Sequence, residues 1–381
     1  MKITKVSLDG NLDTFGGRAL IIQTDKGSYK TPQRVLTSSE IQYKAKLPFE
    51  PPINNEFSEI VAQFSTNQWQ SFMETNGSFA SRYNILNSFN DKMAYTTRKF
   101  FPQIPQSIAI DTSAIKQILE LQRMSELDFI TMPSLPSDMK VFPKLASGFS
   151  EEVLSEKREP LIYLDMALNE SIFQQRFNDL LEFAKTGLVR TIGLIYRPIP
   201  EYSKNYLVLW ENRETEVLLQ MSDIPRIYKD TTATMHLLQK WGIDMFSVRM
   251  SRFGGSGGES EPEKSEIIPK VKRFDSKPMM FKSFQTWAEN DHPLDCRCAI
   301  CQDMHASEFV EKYWGDSEDY PGQTFNAATR LHEYYKSTEE FKEGRKYIRE
   351  GSLIEYFKAK DGLRRSDVAV PGKMAKLNGF Y

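Results

Sequence analysis

The three cysteines of this chain fall within one hexamer, Cys296-Arg297-Cys298-Ala299-Ile300-Cys301, and no other cysteine occurs in its 381 residues. An odd number of thiols crowded this tightly argues against a disulfide framework and for a metal site. In a C-x-C-x-x-C run a tight turn points alternate side chains inward, so that three thiolates surround one ion. Zinc closes a tetrahedral structural site with a fourth ligand, and an imidazole nitrogen is the usual partner when only three thiolates exist. The chain offers His236, His292, His305 and His332. His305 lies close behind Cys301 and competes for the role. His332 sits in RLHEYYKSTEEF, a helical stretch that returns to the cluster if the intervening segment makes a small excursion. One structural zinc ion is therefore expected on Cys296, Cys298 and Cys301, with His332 or His305 as the fourth ligand. Four filled positions leave no open site for a Lewis acid, so stabilisation rather than chemistry is expected there.

Hydrophobic residues make up 40% of the chain, enough for a large core, and its length allows one large α/β domain or two ordinary ones. A formal charge of −2 carries no global basic field of the kind that marks nucleic-acid binders, although a local basic face remains compatible with it. The longest apolar runs, such as Leu161–Leu164 and Gly193–Tyr196, fall far short of a membrane span. The opening MKITKVSLDG alternates like a strand and lacks the apolar stretch of a signal peptide. A soluble cytoplasmic protein with no membrane partner is the expectation.

ALIIQT (19–24) and SYKTPQRVLT (28–37) flank the turn Asp25-Lys26-Gly27 and read as a hairpin. Aromatics at Trp69, Phe72, Phe79, Tyr83 and Phe89 are scattered through a patchily helical stretch. A regular alternation then begins. SIAI (107–110) reads as a strand, and Asp111-Thr112-Ser113 caps a helix. LDFITM (127–132), PLIYLDMAL (160–168), TIGLIYR (191–197), YLVLW (206–210), EVLLQM (216–221) and IDMFSVRM (243–250) read as further strands. Helices are expected over 173–186 and 231–241. Apolar runs of this length suit strands buried on both faces, hence a parallel sheet. A (β/α)8 barrel and a doubly wound sheet both fit, and pattern alone does not separate them. RFGGSGGESEPEKSE (252–266) reads as a loop, either plain surface or a lid. The division expected is 1–100, a mixed β-rich segment; 101–285, the α/β core; and 286–381, a zinc subdomain with C-terminal helices.

The run C-R-C-A-I-C, the downstream L-H-E-Y-Y and G-R-K-Y-I-R-E-G-S-L-I-E-Y-F resemble the C-terminal zinc subdomain of the tRNA-guanine transglycosylases. W-G-I-D-M-F (241–246) is similar to that family's G-V-D-M-F segment, and TSAIKQILELQRMSELDFI (112–130) to the helix and strand that lead to its base-recognition aspartate. The resemblance covers about 107–357. It implies a TIM-like (β/α)8 barrel, zinc on Cys296, Cys298, Cys301 and His332, and exchange of a guanine for a 7-deazaguanine through a covalent ribosyl–aspartate intermediate.

The chain departs from that pattern at its chemical centre. The nucleophile position after G-I-D-M-F holds Ser247, no D-S-G motif lies between 85 and 110, and Ser134 stands at the offset of the base-recognition aspartate, with Asp138 further on. Asp244 matches a family aspartate but also reads as a structural carboxylate at a strand end. Asp165, ending LIYLD, is the best unaligned carboxylate and equally reads as a helix cap. Two functions compete. One is a catalytically altered paralogue that binds tRNA or pairs with an active transglycosylase, as a homodimer or heterodimer. The other is an active divergent enzyme that inserts a 7-deazaguanine into tRNA or DNA. A third reading is a zinc-stabilised barrel with an unrelated small-molecule ligand. Arg249 and Arg252 are the expected nucleic-acid contacts, with Lys358, Lys360, Arg364, Arg365, Lys373 and Lys376 as a weaker basic group.

Overall fold

A computed structural model describes residues 2–10, 12–13, 15–38, 40–41, 47, 57–74, 97–104, 111–125, 127–137, 141–228, 232–249, 264–314 and 322–371. The expected strand at 107–110, Phe79, Tyr83, Phe89, Asp138, Arg252 with the loop as far as 263, Lys373 and Lys376 lie outside these residues.

The chain opens with an antiparallel hairpin system, β1 (Ile3–Leu8), β2 (Leu20–Thr24) and β3 (Gly27–Lys30). Short strands β4 (Gln33–Arg34) and β5 (Leu36–Thr37) follow, then β6 (Phe57–Gln63), helix α1 (Thr66–Glu74) and β7 (Thr97–Gln103). Helix α2 (Thr112–Arg123) is capped by Asp111, whose side chain accepts from the Ala114 amide at 2.8 Å. From there strands and helices alternate: β8 (Phe129–Met132), α3 (Phe142–Ser155), β9 (Glu159–Asp165), α4 (Glu170–Lys185), β10 (Thr191–Ile195), α5 (Ser203–Glu211) and β11 (Leu218–Ile224). Next come β12 (Ile227–Tyr228), β13 (Thr232–Ala233) and β14 (Met245–Val248).

Six of these strands form a parallel sheet in the order β4-β14-β11-β10-β9-β8, and β5-β6-β7 form a second parallel set. Parallel neighbours need crossover connections, and α3, α4 and α5 provide them. Strands β8, β11 and β14 are buried at every position, and β9 at all but its last. The continuous apolar runs of the sequence are thus explained by cover on both faces.

YLVLW, expected as a strand, is the middle of helix α5. Asn205, Tyr206, Val208 and Leu209 form its buried face, and a five-residue apolar run carries too little periodicity to separate the two states. The helix expected over 231–241 shrinks to an α-turn at Thr234–Leu237 and a 3-10 turn at Leu238–Trp241, because Thr232–Ala233 pairs in an antiparallel sheet. The boundary drawn at 100 falls inside β7, and β4 pairs with β14, so described strands from before that boundary join the parallel strands after it.

The remainder adds β15 (Lys272–Asp275) and β16 (Met280–Ser283) to the antiparallel sheet β12-β13-β16-β15, then helices α6 (Ala306–Trp314), α7 (Gln323–Arg349) and α8 (Leu353–Lys358). At about 1.5 Å per residue α7 runs roughly 40 Å and packs on β4, β15, α6 and α8. Its carboxylate Glu333 receives Arg226 at 2.5 Å and stands 3.5 Å from Arg34 of β4. Arg345 of the same helix donates to the carbonyl of Thr31 and to Asp9. One helix thereby ties the C-terminal part to the first strands. Among the described residues no helix is long and apolar enough to cross a membrane.

Candidate metal centre and polar interior

The C-x-C-x-x-C segment is a turn folded by its own backbone. Asp295, Gln302 and Asp303 take left-handed φ angles of 44°, 49° and 58°. The Asp303 amide donates to the Cys296 carbonyl at 3.0 Å, the Gln302 amide to the Cys298 carbonyl at 3.1 Å, and the Cys301 amide to Cys298 Sγ at 3.4 Å. All three cysteines are buried. Helix α7 brings His332 beneath them, with Nδ1 at 3.5 Å from Cys296 Sγ, 3.6 Å from Cys298 Sγ and 3.2 Å from Cys301 Sγ. The four ligand atoms lie within 4.8 Å of one another.

These separations fit a tetrahedral ion. Bonds of about 2.3 Å to sulfur and about 2.0 Å to nitrogen place S and N roughly 3.5 Å apart at the tetrahedral angle. The imidazole is already oriented: Nε2 donates to the Phe274 carbonyl at 2.9 Å, which leaves the Nδ1 lone pair facing the thiols. Three thiols this close also conflict electrostatically. Hydrogen bonds from its neighbours push Cys296 well below the usual thiol range, while its proximity raises Cys298 to about 11 and burial raises Cys301. A divalent cation removes that conflict, because it stabilises all three thiolates together. His305 does not join them. It is half exposed, and its Nδ1 faces the Asp291 carbonyl at 2.8 Å.

A second buried polar cluster lies inside the parallel strands. Glu59 of β6 has no exposed surface. Ser247 Oγ donates to its Oε1 at 2.5 Å, and Ser222 Oγ and Tyr163 OH donate to Oε2 at 2.7 and 3.1 Å. Gln220 Nε2 donates to the same oxygen, and Lys99 Nζ donates to Gln220 Oε1, so one carboxamide links cation and anion. Burial raises Glu59 above the ordinary carboxylate range and brings Lys99 down to about 7, with the opposite charge of the partner resisting each change. Gly193 is what lets Tyr163 cross this space: a Cβ there would stand 2.6 Å from the tyrosine ring.

The sequence-derived candidates are each committed to a partner. Ser247 is buried against Glu59. Asp244 is buried in a two-pronged pair with Arg18, at 3.0 and 2.5 Å, and accepts the Leu219 amide at 2.7 Å. Asp165 caps no helix, since Asn169 caps α4. It accepts from Arg197 at 2.5 Å and from the Ala167 amide at 2.8 Å, while its own amide donates to Ser134 Oγ. Arg249 forms a two-pronged pair with Asp223 at 2.8 and 2.9 Å. Sequence reasoning missed Glu59, Lys99, Tyr163, Gln220 and Ser222. The one available signal was an acidic residue inside the strand-like FSEIVAQ and a lysine inside TRKFFPQ.

Fold and site together define a class: a mixed α/β protein with a six-stranded parallel sheet and a buried cluster of three cysteines and one histidine, spaced to hold a metal ion. No family model and no curated protein matches the chain.

Proposed function

We propose that this chain is a transglycosylase-type protein of nucleic-acid base modification, built as a (β/α)8 barrel with a structural zinc subdomain, and that it is a catalytically altered member that binds tRNA in the cytoplasm. Support for the barrel comes from the segment 33–37, whose two short strands pair with β14 on one side and β6 on the other, and from β7 lying alongside β8. Support for zinc comes from the ligand spacing and the fixed imidazole. The observation that carries the altered-member reading is Ser247: it occupies the expected nucleophile position, fully buried, with its hydroxyl spent on Glu59. A neutral hydroxyl held this way attacks nothing, and Asp244 and Asp165 are equally engaged.

One geometric fact favours the second reading, an active divergent transglycosylase. The Glu59 carboxyl group stands a single hydrogen bond from Ser247, so an acidic group lies beside the expected position although it comes from another strand. The deciding experiment incubates the zinc-loaded protein with tRNA and labelled guanine and measures both retention of tRNA and label incorporated. The altered-member reading expects salt-sensitive retention without label. Incorporation by the wild type that disappears in Glu59→Gln would establish the second reading, and no retention at low salt would remove both.

A further inference from the structure

Arg273 is a buried cation that pairs with no carboxylate among the described residues. It lies in β15, one residue before Phe274, whose carbonyl fixes His332. Its Nη2 donates to the Leu294 carbonyl at 3.1 Å and to Cys301 Sγ at 3.7 Å. Its guanidinium carbon stands 4.9 Å from the centre of the Trp287 ring. Only 3% of the residue is exposed, and among the described residues no acidic side chain pairs with it. A guanidinium taken out of water needs an anionic partner, or its desolvation goes unrepaid. Here the anion is a sulfur cluster. Three thiolates, one neutral imidazole and one divalent zinc carry a single net negative charge, and one arginine cancels it. Two further cations near the cluster are already engaged, Lys336 with Glu339 at 2.5 Å and the exposed Arg297 with Asp303 at 3.1 Å.

We propose that Arg273 is the counter-ion of the metal–thiolate centre, a positioning residue that neutralises the buried site and draws electron density from Cys301 Sγ. Two consequences follow. The hydrogen-bonded thiolate is a poorer nucleophile, so electrophiles and competing chelators strip the metal more slowly. And β15 becomes the strand that serves the ion twice, through the Phe274 carbonyl on the imidazole and through Arg273 on the sulfur. The inference rests on the zinc fit alone and stands or falls apart from any activity on nucleic acid.

The test measures zinc release from the full-length, zinc-loaded protein into excess chromophoric chelator. Arg273→Gln keeps a donor and loses the charge; Arg273→Lys keeps the charge and loses the planar fork. Loss of an outer hydrogen bond to a metal ligand commonly changes metal retention by about 10–100-fold, so Arg273→Gln is expected to release zinc at least about tenfold faster, with Arg273→Lys staying near wild type. Cobalt-substituted samples that keep the thiolate charge-transfer bands show that the ligand set is intact. Wild-type release from Arg273→Gln overturns the proposal. So does fast release from both variants, which would make the fork on Trp287, and not the charge, the operative feature. If Arg273→Gln does not fold, Arg273→Lys decides alone: slow release supports the counter-ion role and fast release ends it.

Discussion

The cysteine–histidine cluster and the polar interior both gather acidic groups away from water, and they assemble them over very different spans of chain. Cys296 and His332 are 36 residues apart, and one turn plus one helix brings the whole donor set together. Glu59 and Ser247 are 188 residues apart, and the donors to Glu59 arrive from β9, β11 and β14, with Lys99 of β7 reaching it through Gln220. The balancing charge also differs. In the first cluster a divalent ion held by every donor would supply it. In the second it comes from Lys99, relayed through Gln220, with hydroxyls filling the remaining lone pairs. A metal–thiolate set has no apolar substitute, because the bonds to the ion are themselves folding free energy. A buried ion pair often does have one, since hydrophobic side chains of similar volume avoid the desolvation that both ions suffer.

The largest expected effect tests the first half of that contrast. Cys301→Ser removes a ligand from a site whose turn, histidine and helix all converge on it. Purified wild type should contain about one equivalent of zinc, and the variant should contain little and melt well below it, because removing a structural ligand costs most of the ion's contribution. Equal zinc and an unchanged melting curve would show that the cluster is an ordinary thiol core.

The next effect tests the second half. Glu59→Leu leaves Lys99 buried without its counter-charge and should cost about 3–5 kcal/mol by urea unfolding, with Lys99→Met costing a similar amount. The double variant should be less destabilised than either single one, a coupling that a double-mutant cycle reads directly. A pH series sharpens the result. Burial lowers Lys99 to about 7 in the folded chain, while the unfolded lysine keeps its proton to above 10. Between those values the unfolded state binds the extra proton, so this group makes stability rise with pH across that window. Lys99→Met should remove that slope. Additive single effects, or a slope that survives the substitution, would mean that the interior is held by its hydroxyls and not by the ion pair.

The same contrast explains what the sequence made legible. A three-thiol turn is a local statement, and the cysteines do converge with His332 closely enough to hold a metal ion, whereas the choice of His332 over His305 came from the resemblance and not from spacing. Parallel strands buried on both faces were readable as apolar runs, and α5 was misread because five apolar residues carry no period. The Glu59 cluster was invisible for a physical reason. Its meaning depends on register across five strands, and register between distant parallel strands is written in no short motif. Gly193 illustrates the point: its missing Cβ matters only because Tyr163, thirty residues earlier, must pass over it.

The smallest effect concerns Arg249, where the sequence placed a nucleic-acid contact. The pair it makes with Asp223 is intermediate between the two clusters: the arginine side chain is about half exposed (47%), while the aspartate side chain is nearly buried (5%). Both guanidinium nitrogens that face Asp223 are engaged, which leaves Nη1 to meet a phosphate. Half-exposed pairs contribute roughly 0–1 kcal/mol, so Arg249→Gln should leave the melting temperature nearly unchanged. Removing a cation that neutralises one phosphate lowers the salt slope of binding by about one unit, and a guanidinium already neutralised by a carboxylate should contribute less than that. Asp223→Asn is the more informative variant. It releases the fork without removing the positive charge, so tRNA affinity at low salt should rise and the salt slope should steepen by up to about one unit. Affinity that does not respond to Asp223→Asn, measured beside an equally silent Arg249→Gln, would place the RNA elsewhere on the surface and leave this pair as a strand-end brace.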